Sequence, residues 1–107
     1  MTDQDLVKAL KAIAHPARFQ MVQEVAAAGE LSCGQLGDRF HLAQPTISHH
    51  LKLLADAGVF LVRKDGQHNF LTVNRVVVRG LLGSLPGRLA PAAARSAVRA
   101  RRGGKGR

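Results

Sequence analysis

Apolar residues recur at helical spacing through most of the chain and change to a strand-like run once. Leu6, Leu10 and Ile13 fall at i, i+4 and i+7, with Val7 and Ala14 beside them, so they form one stripe of a first helix. Thr2 precedes it with Asp5 three residues on, the spacing of a capped start. His15-Pro16 interrupts the stripe. Proline suits the first turn of a second helix, which runs through Phe19, Met21, Val22 and Val25 to Ala28-Gly29. Ser32 and Gln35 repeat the capping-box spacing, and Leu36 and Phe40 share the face of a third, short helix. His41-Leu42-Ala43 breaks the pattern before Gln44-Pro45. A fourth helix starting near Ala43 or Gln44 then runs to Ala57, with Gly58 placed to end it. Ile47, Leu51 and Leu54 make its apolar stripe. Pro45, His49, Lys52 and Asp56 lie opposite, and Thr46 and Ser48 flank that face near the start.

Beyond Gly58 the pattern changes. Val59-Phe60-Leu61-Val62 and Gln67 to Val73 are strand candidates, with Arg63-Lys64-Asp65-Gly66 between them supplying an Asp-Gly turn signal. Asn74 can cap a last helix carrying Val77, Val78, Leu81, Leu82 and Leu85. Gly80 and Gly83 weaken that helix by roughly 1 kcal/mol each, and Pro86-Gly87 is expected to end it. The predicted order is α-α-α-α-β-β-α, a mainly α fold with one β-hairpin. The first and last helices carry more Leu, Ile and Val than so small a core can hide, which points to a homodimer packed through them about a two-fold axis.

Composition narrows the class. With 107 residues the chain divides into one folded domain, residues 1–87, and a tail, residues 88–107. The tail holds seven of the sixteen Lys and Arg and no acid, so residues 1–87 have a net charge of only +2 out of the total of +9. Such a tail gives salt-sensitive, sequence-independent attraction to a polyanion, and Arg101 to Arg107 is expected to be disordered. Cys33 is the one cysteine, which excludes an intramolecular disulfide and suits a reducing compartment. No apolar run reaches membrane-spanning length, and Met1 is followed by Thr-Asp-Gln-Asp rather than by a signal sequence. The expected location is the cytoplasm, with no membrane partner.

Two short helices with a tight connection, the second bearing short polar groups near its start and an apolar stripe behind, have the layout of a DNA-reading helix–turn–helix. Taken alone, the same stretch also fits an ordinary helical hairpin with a solvated outer face. The β-hairpin directly after it favours the first reading, because a hairpin in that position is a wing, and Arg63, Lys64, Gln67 and His68 at its tip can reach phosphates. A solvated hairpin tip is the alternative for those four. No nucleophile–base pair, paired carboxylates or phosphate-binding glycine loop argues for an enzyme.

The chain resembles the ArsR family of small winged-helix bacterial repressors over about Leu6 to Leu85. The carriers are Leu10-Lys11-Ala12-Ile13-Ala14-His15-Pro16-Ala17-Arg18, Glu30-Leu31, the run from Leu42 to Leu54 (LAQPTISHHLKLL), Ala57-Gly58 and Asp65-Gly66. The resemblance implies a winged helix-turn-helix homodimer that represses transcription by occupying a palindromic operator and is released by a metal ion or another signal. It also assigns His49 to the DNA face and His50 to structural support. Metal-sensing relatives often carry two cysteines one residue apart just after the Glu-Leu pair. Here Ser32 and Gly34 occupy those positions and Cys33 falls at the spacer. Others bind metal through Asp and His on the last helix, but residues 74–87 contain no Asp, Glu, His or Cys. No metal and no cofactor is therefore expected. Cys33 lies near a helix N-terminus, where a thiolate is favoured, but a lone cysteine there reads first as a packing residue. The leading expectation places Gln44, Thr46, Ser48 and His49 against bases or adjacent phosphates, and Lys52, Arg63, Lys64, Gln67 and His68 against the backbone of double-stranded DNA. Two rivals are a sequence-tolerant architectural DNA-binding protein driven by the tail and a DNA-binding subunit whose sensor is a partner protein.

Overall fold

The computed structural model describes residues 1–90, so the basic stretch from residue 91 onward lies outside the described residues. The elements are α1 (Asp3–Ile13), α2 (Pro16–Ala28), β1 (Leu31–Ser32), α3 (Cys33–Gly37), α4 (Gln44–Asp56), β2 (Phe60–Asp65), β3 (His68–Val73) and α5 (Arg75–Leu89). Both capping boxes form. The Asp5 amide donates to Thr2 Oγ1 at 3.1 Å, and the Thr2 amide to Asp5 Oδ2 at 3.2 Å. Those hydrogen bonds hold the Asp5 carboxyl below its usual range. At α3 the Gln35 amide donates to Ser32 Oγ at 3.0 Å, and the Ser32 amide to Gln35 Oε1 at 2.9 Å. His15 both interrupts the helical stripe and caps α2, with Nδ1 accepting from the Ala17 amide at 3.1 Å.

The core runs through the helices and onto one face of the sheet. Met21 and Val25 from α2, Leu36 from α3, Leu54 from α4, Val59 and Leu71 are its largest fully buried side chains. α1 enters with Leu6, Ala9 and Ala12, while Leu10 and Ile13 pack at the edge and Val7 stays exposed. Phe19, expected with the apolar residues of α2, is instead exposed. Two residues from Met21 on a helix is about 200° of rotation, so the inward Met21–Val25 stripe turns Phe19 away.

Three local expectations are corrected. First, the sheet has three strands, ordered β1-β3-β2 and all antiparallel, because Leu31 and Ser32 pair with Leu71 and Phe70. A two-residue strand has no period to reveal it. Second, Arg63, Lys64 and Asp65 belong to β2 rather than to the turn. Asp65 pairs with His68, leaving Gly66-Gln67 as the two-residue loop. Gly66 has φ +63° and no non-glycine residue among those described has positive φ, the arrangement that puts glycine first in a tight hairpin turn. Third, α5 continues through Pro86-Gly87 to Leu89. So near a helix end, proline forfeits a single ladder bond. Arg88, in the following turn, donates to Asp3 Oδ1 at 2.5 Å and the Met1 carbonyl at 2.6 Å, tying that turn to α1.

The joint between α4 and β2 sets the position of the wing. The Val59 amide donates to the Leu54 carbonyl at 3.0 Å and the Gly58 amide to the Ala55 carbonyl at 3.0 Å, a Schellman ending with Gly58 at φ +77°. Leu54 and Val59 are both fully buried beneath it. Gly58→Ala is expected to lower stability by about 1–2 kcal/mol, the cost of forcing a side chain into left-handed backbone. A urea unfolding midpoint checks it.

Candidate nucleic-acid interface

α4 separates its two faces cleanly. Ile47, Leu51 and Leu54 are buried, and Gln44, Thr46, Ser48, His49 and Lys52 are exposed together. α3 closes on it from behind. Gly37 stands beside Ile47, where even a side-chain carbon would make an ordinary contact of 3.6 Å with Ile47 Cδ1. Ala43 caps α4 without a side-chain hydrogen bond. Unsatisfied amides and the helix dipole then favour an anionic partner at that end. Lys52 donates to Asp56 at 3.0 Å, one turn along. An exposed pair of this kind is worth about 0.3–0.5 kcal/mol and exchanges easily for another anion.

His50 points the other way and is buried. Its Nδ1 lies 3.2 Å from Arg18 Nη1. Arg18 also donates through Nε to the Ala12 carbonyl at 2.6 Å and through Nη2 to the Lys11 carbonyl at 3.3 Å. One guanidinium thus satisfies the open end of α1 and fixes α4 against α2. Since the guanidinium can only donate, His50 Nδ1 accepts and the ring is neutral. The His15 ring stands 4.8 Å away and the His49 ring 6.3 Å. Burial first, then the neighbouring His15, Arg18 and His49, push the His50 pKa down. Sequence reasoning gave Arg18 no role. Its signal was the His15-Pro16-Ala17-Arg18 run, which carried resemblance without a mechanism.

The wing residues are arranged less simply. Lys64, Gln67 and His68 are exposed at the tip. Arg63 is engaged within the protein: Nε and Nη2 donate to the Glu30 carboxylate at 3.3 and 3.0 Å, and its guanidinium lies 4.5 Å over the Phe70 ring. The hydrogen bond to Glu30 raises its pKa further. Glu30 and Phe70 were not singled out from sequence as site residues, because a pair 33 positions apart leaves no local trace. Cys33 is a half-buried packing residue beside the core, and burial pushes its thiol up rather than down. Among the described residues, no three His, Cys, Asp or Glu side chains cluster to hold a metal ion. No helix there is long and apolar enough to cross a membrane.

A helix–turn–helix whose second helix leads directly into a β-hairpin wing defines the winged helix–turn–helix class. The comparisons agree. Residues 13–63 match a family described as a helix-turn-helix domain. The chain is 32% identical over 74 residues to the arsenical resistance operon repressor of Staphylococcus xylosus, covering 69% of this chain and 70% of that protein. It is 30% identical over 69 residues to the transcriptional repressor SdpR of Bacillus subtilis, covering 64% and 76%. Its fold matches an ArsR-like transcriptional regulator from Rhodococcus sp. RHA1 with TM-score 0.74, at 18% identity and over 94% and 93% of the two chains. The chain belongs to the ArsR family of winged helix–turn–helix regulators, and is a DNA-binding transcriptional repressor of that type.

The neutral, buried state of His50 has a pH consequence. Its folded pKa is depressed, so as pH falls through the ordinary histidine value of 6.5 the unfolded chain takes the proton first. Stability contributed by neutral His50 is complete above that value and declines below it. His50→Gln is expected to flatten the loss of stability between pH 7 and pH 5, measured by urea unfolding at each pH.

Proposed function

We propose that the protein acts as a homodimer on a palindromic operator in the cytoplasm. Gln44, Thr46, Ser48 and His49 face bases or adjacent phosphates, and Lys52, Lys64, Gln67 and His68 meet the backbone. The observation that carries this is the two-sided α4: five polar side chains stand out together while the stripe behind them is locked into the core. Short polar groups near the start of such a helix can approach base edges in the major groove, whereas lysines fix register on the phosphates. Exposed apolar residues support the dimer. Val76 is 81% exposed, Leu82 65% and Leu89 78% along α5, with Val7 46% exposed on α1. These two helices pack together and leave the apolar edge uncovered in a single chain. Two copies joined there would present two α4 helices, one for each half-site.

The test is binding of the full chain to the DNA upstream of its own coding sequence and to a scrambled duplex, across a salt series. Preference for the upstream duplex that survives added salt is the expected result, and equal, salt-sensitive binding to both would overturn the reading. Ser48→Ala or Gln44→Ala is expected to relax operator preference, at a cost of about 1–3 kcal/mol of discrimination between the duplexes. Lys64→Ala is expected to weaken both alike and to reduce the slope of log affinity against log salt by about 0.9. Sedimentation should show a dimer for the wild-type chain and a monomer for Leu82→Asp.

A further inference from the structure

Arg63 was expected at a phosphate, yet on the outer face of the sheet its donors are already engaged with carboxylates of the protein. Nε and Nη2 both go to Glu30, Nη1 stands 3.8 Å from Asp65 Oδ2, and the guanidinium carbon lies 4.5 Å from the centre of the Phe70 ring. A phosphate arriving there meets two carboxylates for one cation. Lys64 differs: strand alternation puts it on the opposite face, and no ion pair joins it to a carboxylate among the described residues.

The placement of the pair gives it another use. Glu30 stands between the end of α2 and β1, Arg63 lies on edge strand β2, and β3 runs between them. Ser32, Phe70 and Arg63 are in register across the three strands. The ion pair therefore bridges the whole outer face of the sheet over Phe70. It ties the outer strand of the hairpin to the corner that leads through β1 into α3, the helix packed against α4. Beyond that row only β2 and β3 remain, and a two-stranded ribbon is poorly held by itself. We propose that Glu30 is a positioning residue for DNA binding: with Phe70 it holds Arg63 across the sheet, and Arg63 acts by fixing the wing relative to α4 instead of by contacting a phosphate. This rests on the reading of the hairpin as a DNA-contacting wing.

The experiment compares the full-length chain with Glu30→Gln, with Arg63→Gln, and with the exchange Glu30→Arg plus Arg63→Glu, on the upstream and scrambled duplexes across a salt series. Circular dichroism verifies folding of each. Glu30→Gln and Arg63→Gln are each expected to weaken upstream binding several-fold at an unchanged salt slope, and the exchange is expected to recover most of that loss. A slope lowered by about 0.9 in Arg63→Gln, the mark of one lost phosphate contact, would overturn the proposal. So would tighter binding of both duplexes by Glu30→Gln, or an exchange that binds worse than either single variant. Should Arg63→Gln not fold, Phe70→Leu keeps every charge: weaker binding at the same slope supports the anchor, and unchanged binding refutes it. A wild-type chain that binds neither duplex brings down the DNA reading and the proposal with it, whereas the slope and exchange results overturn the proposal alone.

Discussion

A helix that presents a polar face to solvent has to be held from behind, and in this chain that hold on α4 is the burial of Ile47, Leu51 and Leu54 together with His50. The apolar residues supply the non-directional part, roughly 1.5–3 kcal/mol for each side chain taken fully out of water. They set the depth of α4 but not its rotation with much precision. The Arg18–His50 contact adds direction, because the same guanidinium is fastened to two carbonyls at the end of α1. The other parts of the molecule inherit their positions from this arrangement. α3 closes on Ile47 through Gly37, and the Schellman ending at Gly58 launches β2 from a fixed point.

The exposed side of the molecule is built on weaker interactions. Lys52–Asp56, Arg39–Glu24 and Arg63–Glu30 are all surface pairs. Pairs of this kind contribute little to stability, and their importance lies in geometry and in competition with other anions. Lys52 can leave Asp56 for a phosphate by a change of rotamer. Arg63 is more constrained, since an aromatic ring supports it from below and a second carboxylate stands nearby. Two cations with the same expected role thus have unlike environments, and charge alone does not reveal what each does.

The sequence made most of the helical frame legible. Thr2–Asp5 and Ser32–Gln35 specified helix starts that form as capping boxes, and Ile47–Leu51–Leu54 specified the buried side of α4. These signals are local: a cap or a stripe is written within a few residues, and the helix geometry converts it directly into a face. The exposed set on α4 follows by subtraction from the same stripe.

What only the tertiary structure decided is everything that joins residues distant in sequence. β1 exists because Leu31 and Ser32 find a partner strand forty positions away. Arg88 extends α5 past proline because it meets the first residues of the chain. His50 is neutral and buried because α2 delivers Arg18 and His15 to it, and Arg63 is held because Glu30 lies across the sheet. Sequence by itself determined the helices, most of their inward faces and the family; the folded chain determined the third strand and which charges are engaged with one another. The physical reason is that periodicity records burial along one element, whereas an ion pair or a hydrogen bond between elements depends on distances that exist only after they pack.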